Sequence, residues 1–197
     1  ICLRAIEMIS ADALAIHVNV LQEMIQTEGD RDFRGVLDCI AFIAQDFPVP
    51  LMVKEVGAGM DPRTANRLAV RLGPGARAID VGGRGGTSWG WIEGLRATDP
   101  LTFELGKDFR DWGLTTGMAL TMARRAIPTE SECQLVATGG IRSGVDVAKV
   151  VALGATVAGV GLPLFRAALK GTNEVDDALE NLIKGLKTVM ICTGSRQ

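Results

Sequence analysis

Hydrophobic positions recur along the chain in two alternating rhythms. Five short runs, residues 13–18, 50–56, 77–81, 134–138 and 156–160, are nearly continuous in apolar, often β-branched residues. That is the pattern of parallel strands covered on both faces. Between them the spacing changes to helical: Leu37, Ile40, Ala41, Ala44 and Phe47, then Ala65, Leu68, Ala69 and Leu72, then residues 115–125, then Val145, Ala148, Val151 and Ala152. Val175, Leu179, Leu182, Ile183, Leu186 and Met190 predict a last helix, and Cys2 to Met8 a first one. Asp61-Pro62 and Ser143 stand where helix starts are expected. Repeated strand–helix units predict an α/β fold with parallel strands and right-handed crossovers.

Polar residues and glycines gather after the strands: Asn19 to Glu23, Gly57-Ala-Gly59, Gly82 to Thr87, Gly139 to Arg142 and Gly161 to Pro163. A (β/α)8 TIM barrel builds its site from such carboxyl-end loops. A doubly wound sheet satisfies the same rule in part. A complete barrel takes about 250 residues, whereas this chain has 197 and five strand candidates. Residues 1–197 are therefore read as the C-terminal portion of a single barrel domain, about five of eight βα units, with three strands expected before Ile1.

With 47% hydrophobic and 22% charged residues the chain can bury a substantial core. A net charge of −2 provides no basic field for nucleic acid or an anionic membrane, so any phosphate must be held locally. Cys2, Cys39, Cys133 and Cys192 are scattered, without a C-x-x-C pair or a second histidine, and read as reduced thiols of a cytoplasmic protein. The apolar run from Val150 to Phe165 is too short for a membrane span and contains Gly154, Gly159, Gly161 and Pro163; it reads as a helix end plus a buried strand. Open barrel edges predict pairing with another copy, a homo-oligomer.

Five places carry candidate chemistry. His17, the chain's one histidine, closes a strand, Asn19 shares its face, and Gln22 and Glu23 follow at once. Glu23 suits magnesium, which is commonly held by one carboxylate plus phosphate oxygens. Glu28, Asp30 and Asp32 read as a solvated loop. Lys54 and Glu55 end a strand on opposite faces, one into the barrel mouth, and an inward lysine could neutralise charge on a reduced flavin. Gly82 to Thr87 places four glycines around Arg84, either a backbone approach to a ligand or a tight turn. Gly139-Gly140-Ile141-Arg142 ends a strand and opens a helix whose amino end favours anions, and Gly161-Leu162 ends the next strand. Two such adjacent loops would cradle a mononucleotide phosphate.

The motifs His17-Val-Asn19-Val-Leu-Gln22-Glu23, Val53-Lys-Glu-Val-Gly57, Asp80-Val-Gly-Gly-Arg-Gly-Gly-Thr87 through Trp89 to Glu93, Asp111-Trp-Gly113, Gly139-Gly-Ile-Arg-Ser-Gly144 and Ala152-Leu-Gly-Ala155 appear in this order. Together they resemble type 2 isopentenyl-diphosphate isomerase over nearly the whole chain. The resemblance implies interconversion of isopentenyl and dimethylallyl diphosphate with reduced FMN, Mg2+ and NADPH as reductant. It implies substrate contacts from His17, Asn19 and Gln22, metal binding by Glu23, and acid–base work near the flavin for Glu93 with Gln22. FMN contacts fall to Lys54, Gly82, Thr87, Gly139, Gly140, Ile141, Arg142, Gly161 and Leu162. Two departures stand out: Gly82 where some relatives offer a serine, and the charged Arg84 within the glycine loop. The family's basic amino-terminal segment has no counterpart here, so the chain alone is expected to be inactive. The competing readings are an FMN-dependent 2-hydroxy-acid oxidase, which would need a histidine after a late strand, and a non-catalytic truncated barrel.

Overall fold

A computed structural model describes residues 1–45, 47–73 and 77–195. Its five strands, β1 (Leu14–His17), β2 (Leu51–Lys54), β3 (Arg77–Asp80), β4 (Gln134–Ala137) and β5 (Val157–Ala158), form one parallel sheet in sequential order. Their helices are α1 (Cys2–Ile9), α2 (Val20–Ile25), α3 (Val36–Gln45), α4 (Pro62–Leu72), α5 (Trp89–Arg96), α6 (Pro100–Asp108), α7 (Thr116–Ala126), α8 (Gly144–Ala152), α9 (Leu162–Ala168) and α10 (Thr172–Thr193). The expected α/β architecture of the barrel type is present, with each sequence-predicted strand and helix in its place.

Alternation along the strands decides what each face does. Leu51 and Val53 of β2, Ile79 of β3 and Leu135 of β4 turn outward and are buried with Leu68, Leu72, Leu120 and Ala123 from α4 and α7. Burial of each such side chain contributes about 1.5–3 kcal/mol. His17, Lys54 and Asp80 are aligned across β1, β2 and β3, so they project on the opposite, inner face. That face differs from expectation. Ala15, His17 and Val157 are exposed and Met52, Lys54, Ala78 and Val136 half-buried, because five strands curve through less than a full barrel. The two-sided cover that the apolar runs predict exists here on one side only.

The strands are shorter than their apolar runs, since Val18, Glu55, Val81 and Thr138 already belong to the loops. Four helices, α2, α5, α6 and α9, occupy segments where the sequence pattern predicts no helix, α9 beginning inside the run read as a helix end plus a buried strand. Three are six to eight residues long, too short for a helical period to show. For α6 the signal was present: Asp99-Pro100 repeats the Asp61-Pro62 start, and the Asp99 carboxylate accepts N–H bonds from Leu101 and Thr102 at 3.3 and 2.9 Å. α5 and α6 lie backbone to backbone where Gly94 meets Gly106; a Cβ on Gly106 would come within 2.6 Å of Gly94 Cα. The hairpin is fastened further by Trp91 against Phe103, ring centroids 5.5 Å apart.

Candidate functional site

Beyond the carboxyl ends of the strands lies a cleft of about 860 Å3. His17, Asn19, Gln22, Glu23, Lys54, Gly82, Thr87, Gly139, Gly140, Ile141, Arg142, Gly161 and Leu162 all line it. Every candidate residue from the sequence is therefore in one place except Glu93, which joins through Gln22. That link is part of a chain of four polar side chains. Asn19 Nδ2 donates to Gln22 Oε1, Gln22 Nε2 donates to Glu93 Oε1 at 2.6 Å, and Arg96 Nη1 donates to Glu93 Oε2 at 2.9 Å. Glu93 is only 6% exposed. A buried carboxylate needs such partners, and Arg96 supplies the opposite charge. With both of its amide ends engaged, Gln22 is held in a fixed orientation at the cleft wall.

Glu23 is held differently. Its Oε2 accepts the N–H of Asp30 at 2.9 Å, while the Arg31 guanidinium ties down the carbonyls of Glu23 and Gln26. The 26–32 loop thus braces the carboxylate from one side. Among the described residues no three His, Cys, Asp or Glu side chains converge to hold a metal ion. Glu23 could hold one only together with oxygens from a ligand, as a diphosphate would provide.

Opposite this wall two glycine loops press together. Gly139 and Gly140 have φ of +105° and +75°, and a Cβ on Gly139 would stand 1.9 Å from the Gly83 carbonyl oxygen. Only glycine permits this approach. Arg142 fastens the pair, donating to the carbonyls of Gly140 and Gly85 at 2.8 and 2.7 Å, so its guanidinium serves as a strut between the loops. The amino end of α8 is also committed. Ser143 and Asp146 form a capping box in which the N–H groups of Arg142 and Ser143 donate to Asp146. An anion there would meet the Asp146 carboxylate, contrary to the sequence reading of this helix start. The N–H groups of Gly140, Ile141, Gly161 and Leu162 have no partner among the described residues, and a Cβ on Gly161 would meet nothing within 4 Å. Four free amides on adjacent loops, with no side chain between them, fit a phosphate monoester such as that of FMN.

The floor between these walls carries the row His17, Lys54, Asp80. Lys54 Nζ donates to the Glu55 carbonyl at 3.2 Å. Asp80 is 1% exposed; its carboxylate accepts the Gly82 N–H at 3.0 Å and the Thr138 hydroxyl at 2.9 and 3.0 Å. Burial pushes the Asp80 carboxyl above its ordinary value, against the pull of the Gly82 and Thr138 donors and the Lys54 charge. Glu55 turns away from Lys54, and its Oε2 gathers the N–H groups of Val56, Gly57, Ala58 and Gly59 at 2.7–3.0 Å. Arg84 points away from the cleft, its Nη1 3.6 Å from Asp111. Gly113 of the Asp111-Trp-Gly113 motif, at φ +112°, packs against Ala58, where a Cβ would meet the carbonyl oxygen at 2.1 Å. Sequence reasoning assigned no role to Asp80, Thr138 and Arg96, and for Glu55 it gave only the face opposite Lys54. Asp80 was within reach by the rule that singled out Lys54, a charge ending an apolar strand.

A parallel sheet with free amides, a carboxylate wall and a charged floor beyond its strand ends defines an enzyme-type ligand site of the (β/α)-barrel kind. The chain belongs to the FMN-dependent dehydrogenase family, whose family model matches residues 10–197. It is 45% identical over 194 residues to an isopentenyl-diphosphate delta-isomerase from Nostoc sp., covering 98% of this chain and 54% of that protein. A relative of the same name from Thermococcus onnurineus is 47% identical over 195 residues, 98% of this chain and 50% of that one. The chain thus spans about half the length of the curated relatives it matches. Solved structures share the fold. A Pediococcus acidilactici lactate oxidase superposes with a TM-score of 0.66 at 18% identity, covering 98% of this chain and 53% of that one. A flavocytochrome b2 variant with benzoylformate gives 0.65 at 17%, covering 96% and 45%. Among the described residues no helix is long and apolar enough to cross a membrane.

Proposed function

We propose that this chain forms the greater part of the active site of an isopentenyl-diphosphate delta-isomerase, interconverting isopentenyl and dimethylallyl diphosphate with reduced FMN and Mg2+, NADPH serving as reductant. The observation that carries the reading is the Asn19–Gln22–Glu93–Arg96 chain, set across the same cleft from the paired glycine loops.

Gly140, Ile141, Gly161 and Leu162 would hold the flavin phosphate through their amides, and Thr87, Gly82 and Lys54 would contact the rest of the cofactor. His17 and Asn19 would meet the substrate, and Glu23 would bind magnesium against the diphosphate, far from the reacting carbons. Adding a proton to an unactivated alkene generates positive charge on a tertiary carbon, and bound reduced FMN would supply electron density beside it. Glu93, oriented by Arg96 and bridged by Gln22, would be the acid–base group that moves that proton. Gln22 spends one amide hydrogen on Glu93 and retains a second to direct into the cleft. Roles of this kind need no net oxidation.

The test is conversion of isopentenyl diphosphate by the full-length protein, reduced anaerobically with FMN and Mg2+ and followed by proton NMR. Formation of the allylic isomer is expected. No conversion with bound flavin confirmed by its absorbance would sink the assignment, and turnover of a 2-hydroxy acid instead would favour the oxidase chemistry named for its structural neighbours.

A further inference from the structure

We propose that Asp80 is the counter-charge of Lys54, a positioning residue that sets the electrostatic potential on the floor of the cleft. The inference rests on the flavin reading above and assigns a residue that this reading does not use.

Asp80 and Lys54 are Cα partners at the ends of β3 and β2 and project on the same face. Both line the cleft, yet Asp80 is almost wholly buried. Burying a carboxylate costs several kcal/mol unless hydrogen bonds and opposite charge compensate it. Hydrogen bonds cover only part of that need. A carboxylate has about four acceptor sites, and two donors serve it here: the Gly82 N–H, and the Thr138 hydroxyl, whose single hydrogen is shared between both oxygens. The Lys54 ammonium supplies the neighbouring positive charge and attracts the carboxylate through space. The two are not in contact: among the described residues no ion pair within 4 Å joins them. Lys54 donates once, to the Glu55 carbonyl, and keeps two N–H donors for a ligand.

The arrangement offers a ligand's polar edge a donor without the full field of an isolated cation. Reduction adds negative charge to a flavin, so Lys54 favours the reduced form and Asp80 restrains that preference. Replacing Asp80 by Asn keeps the shape, an acceptor for Gly82 and a partner for Thr138, while removing the charge.

The experiment measures the reduction potential of bound FMN in the full-length protein at saturating FMN, for wild type, Asp80→Asn, Lys54→Gln and the double variant. Asp80→Asn is expected to tighten reduced over oxidised FMN by about tenfold, a rise of ~30 mV for a two-electron couple, and the rise should shrink when Lys54 is Gln. An unchanged or lower potential overturns the proposal, as would a rise of equal size with and without Lys54. A merely structural role would weaken oxidised and reduced FMN alike and leave the potential where it was. Failure of the wild type to bind FMN would instead overturn the flavin reading itself.

Discussion

Gly139→Ala probes the contact on which the cradle depends, and Gly35→Ala separates its two costs. Both glycines have positive φ, +105° and +74°, but a Cβ on Gly35 meets nothing within 4 Å whereas one on Gly139 stands 1.9 Å from Gly83 O and 2.9 Å from Thr116 Oγ1. Left-handed backbone costs an alanine about 1–2 kcal/mol, offset by about 0.4–1 kcal/mol from the stiffer unfolded chain. Gly35→Ala should therefore destabilise by about 1 kcal/mol. Gly139→Ala adds about 1–3 kcal/mol of overlap. Separating the loops also endangers the Thr116 hydroxyl bond to the Gly139 carbonyl at 2.6 Å and the Gly83 N–H bond to Thr138 at 2.9 Å, about 1 kcal/mol each. The sum is about 4–6 kcal/mol, a large part of the roughly 5–15 kcal/mol of a typical domain. Urea unfolding of each variant in the full-length protein, followed by circular dichroism and extrapolated linearly, reads both numbers. If Gly139→Ala costs no more than Gly35→Ala, the two loops do not touch as described.

Other outcomes are equally definite. Glu23→Ala should raise the Mg2+ concentration needed for half-maximal activity with little change in FMN affinity; an unaltered metal dependence would count against the magnesium role. Glu55→Ala strands the Val56, Gly57 and Ala58 N–H groups, while Gly59 keeps its bond to the Gly82 carbonyl, and should destabilise by about 2–4 kcal/mol, with Glu55→Gln in between, as read by urea titration. Burial raises the Cys133 thiol to about 11, so iodoacetamide at mildly alkaline pH should label the exposed Cys39 and Cys192 while sparing Cys133, with peptide mass spectrometry as the readout. The Thr102 hydroxyl and the N–H groups of Thr102 and Leu101 hold the Asp99 carboxyl below its ordinary value. Its contribution is complete above that ordinary range and is lost as pH falls through the lowered value, so the Tm gap between wild type and Asp99→Ala should close below about pH 4.

What the sequence revealed follows from what one-dimensional patterns encode. The central strands and helices were legible because each buries a stripe of fixed period, as Leu51 and Val53 or Leu68 and Leu72 show, whereas α10 carries a periodic apolar stripe with no buried residue, Leu179 and Ile183 being exposed. The cleft residues were legible because strand ends are where barrel sites form, which grouped His17, Lys54 and Gly139 before any contact was known. Contacts between distant elements left no such trace. The bond from Gln22 to Glu93 joins residues 71 apart, and Thr138 reaches Asp80 across 58. Arg142, read as a phosphate neighbour, spends its guanidinium on carbonyls, a choice fixed only by how the loops pack. Capping misled for a related reason: Ser143 and Asp146 signal a helix start, but their capping box also sets the Asp146 carboxylate beside the place where an anion would sit.

Glu93 is linked to the cleft through Gln22, from the hairpin of α5 and α6 and not from a strand end. The hairpin is sealed by its own glycine crossing and its own aromatic pair, and it meets the cleft chiefly through α2. Its amides should therefore exchange with deuterium as one cooperative unit, on a schedule distinct from that of the sheet. The Glu93 carboxylate thus rides on a cassette inserted into the crossover from β3 to β4. That cassette could be altered without disturbing the strand-end row of His17, Lys54 and Asp80, so the Glu93 end of the site and the sheet floor are separable within one fold.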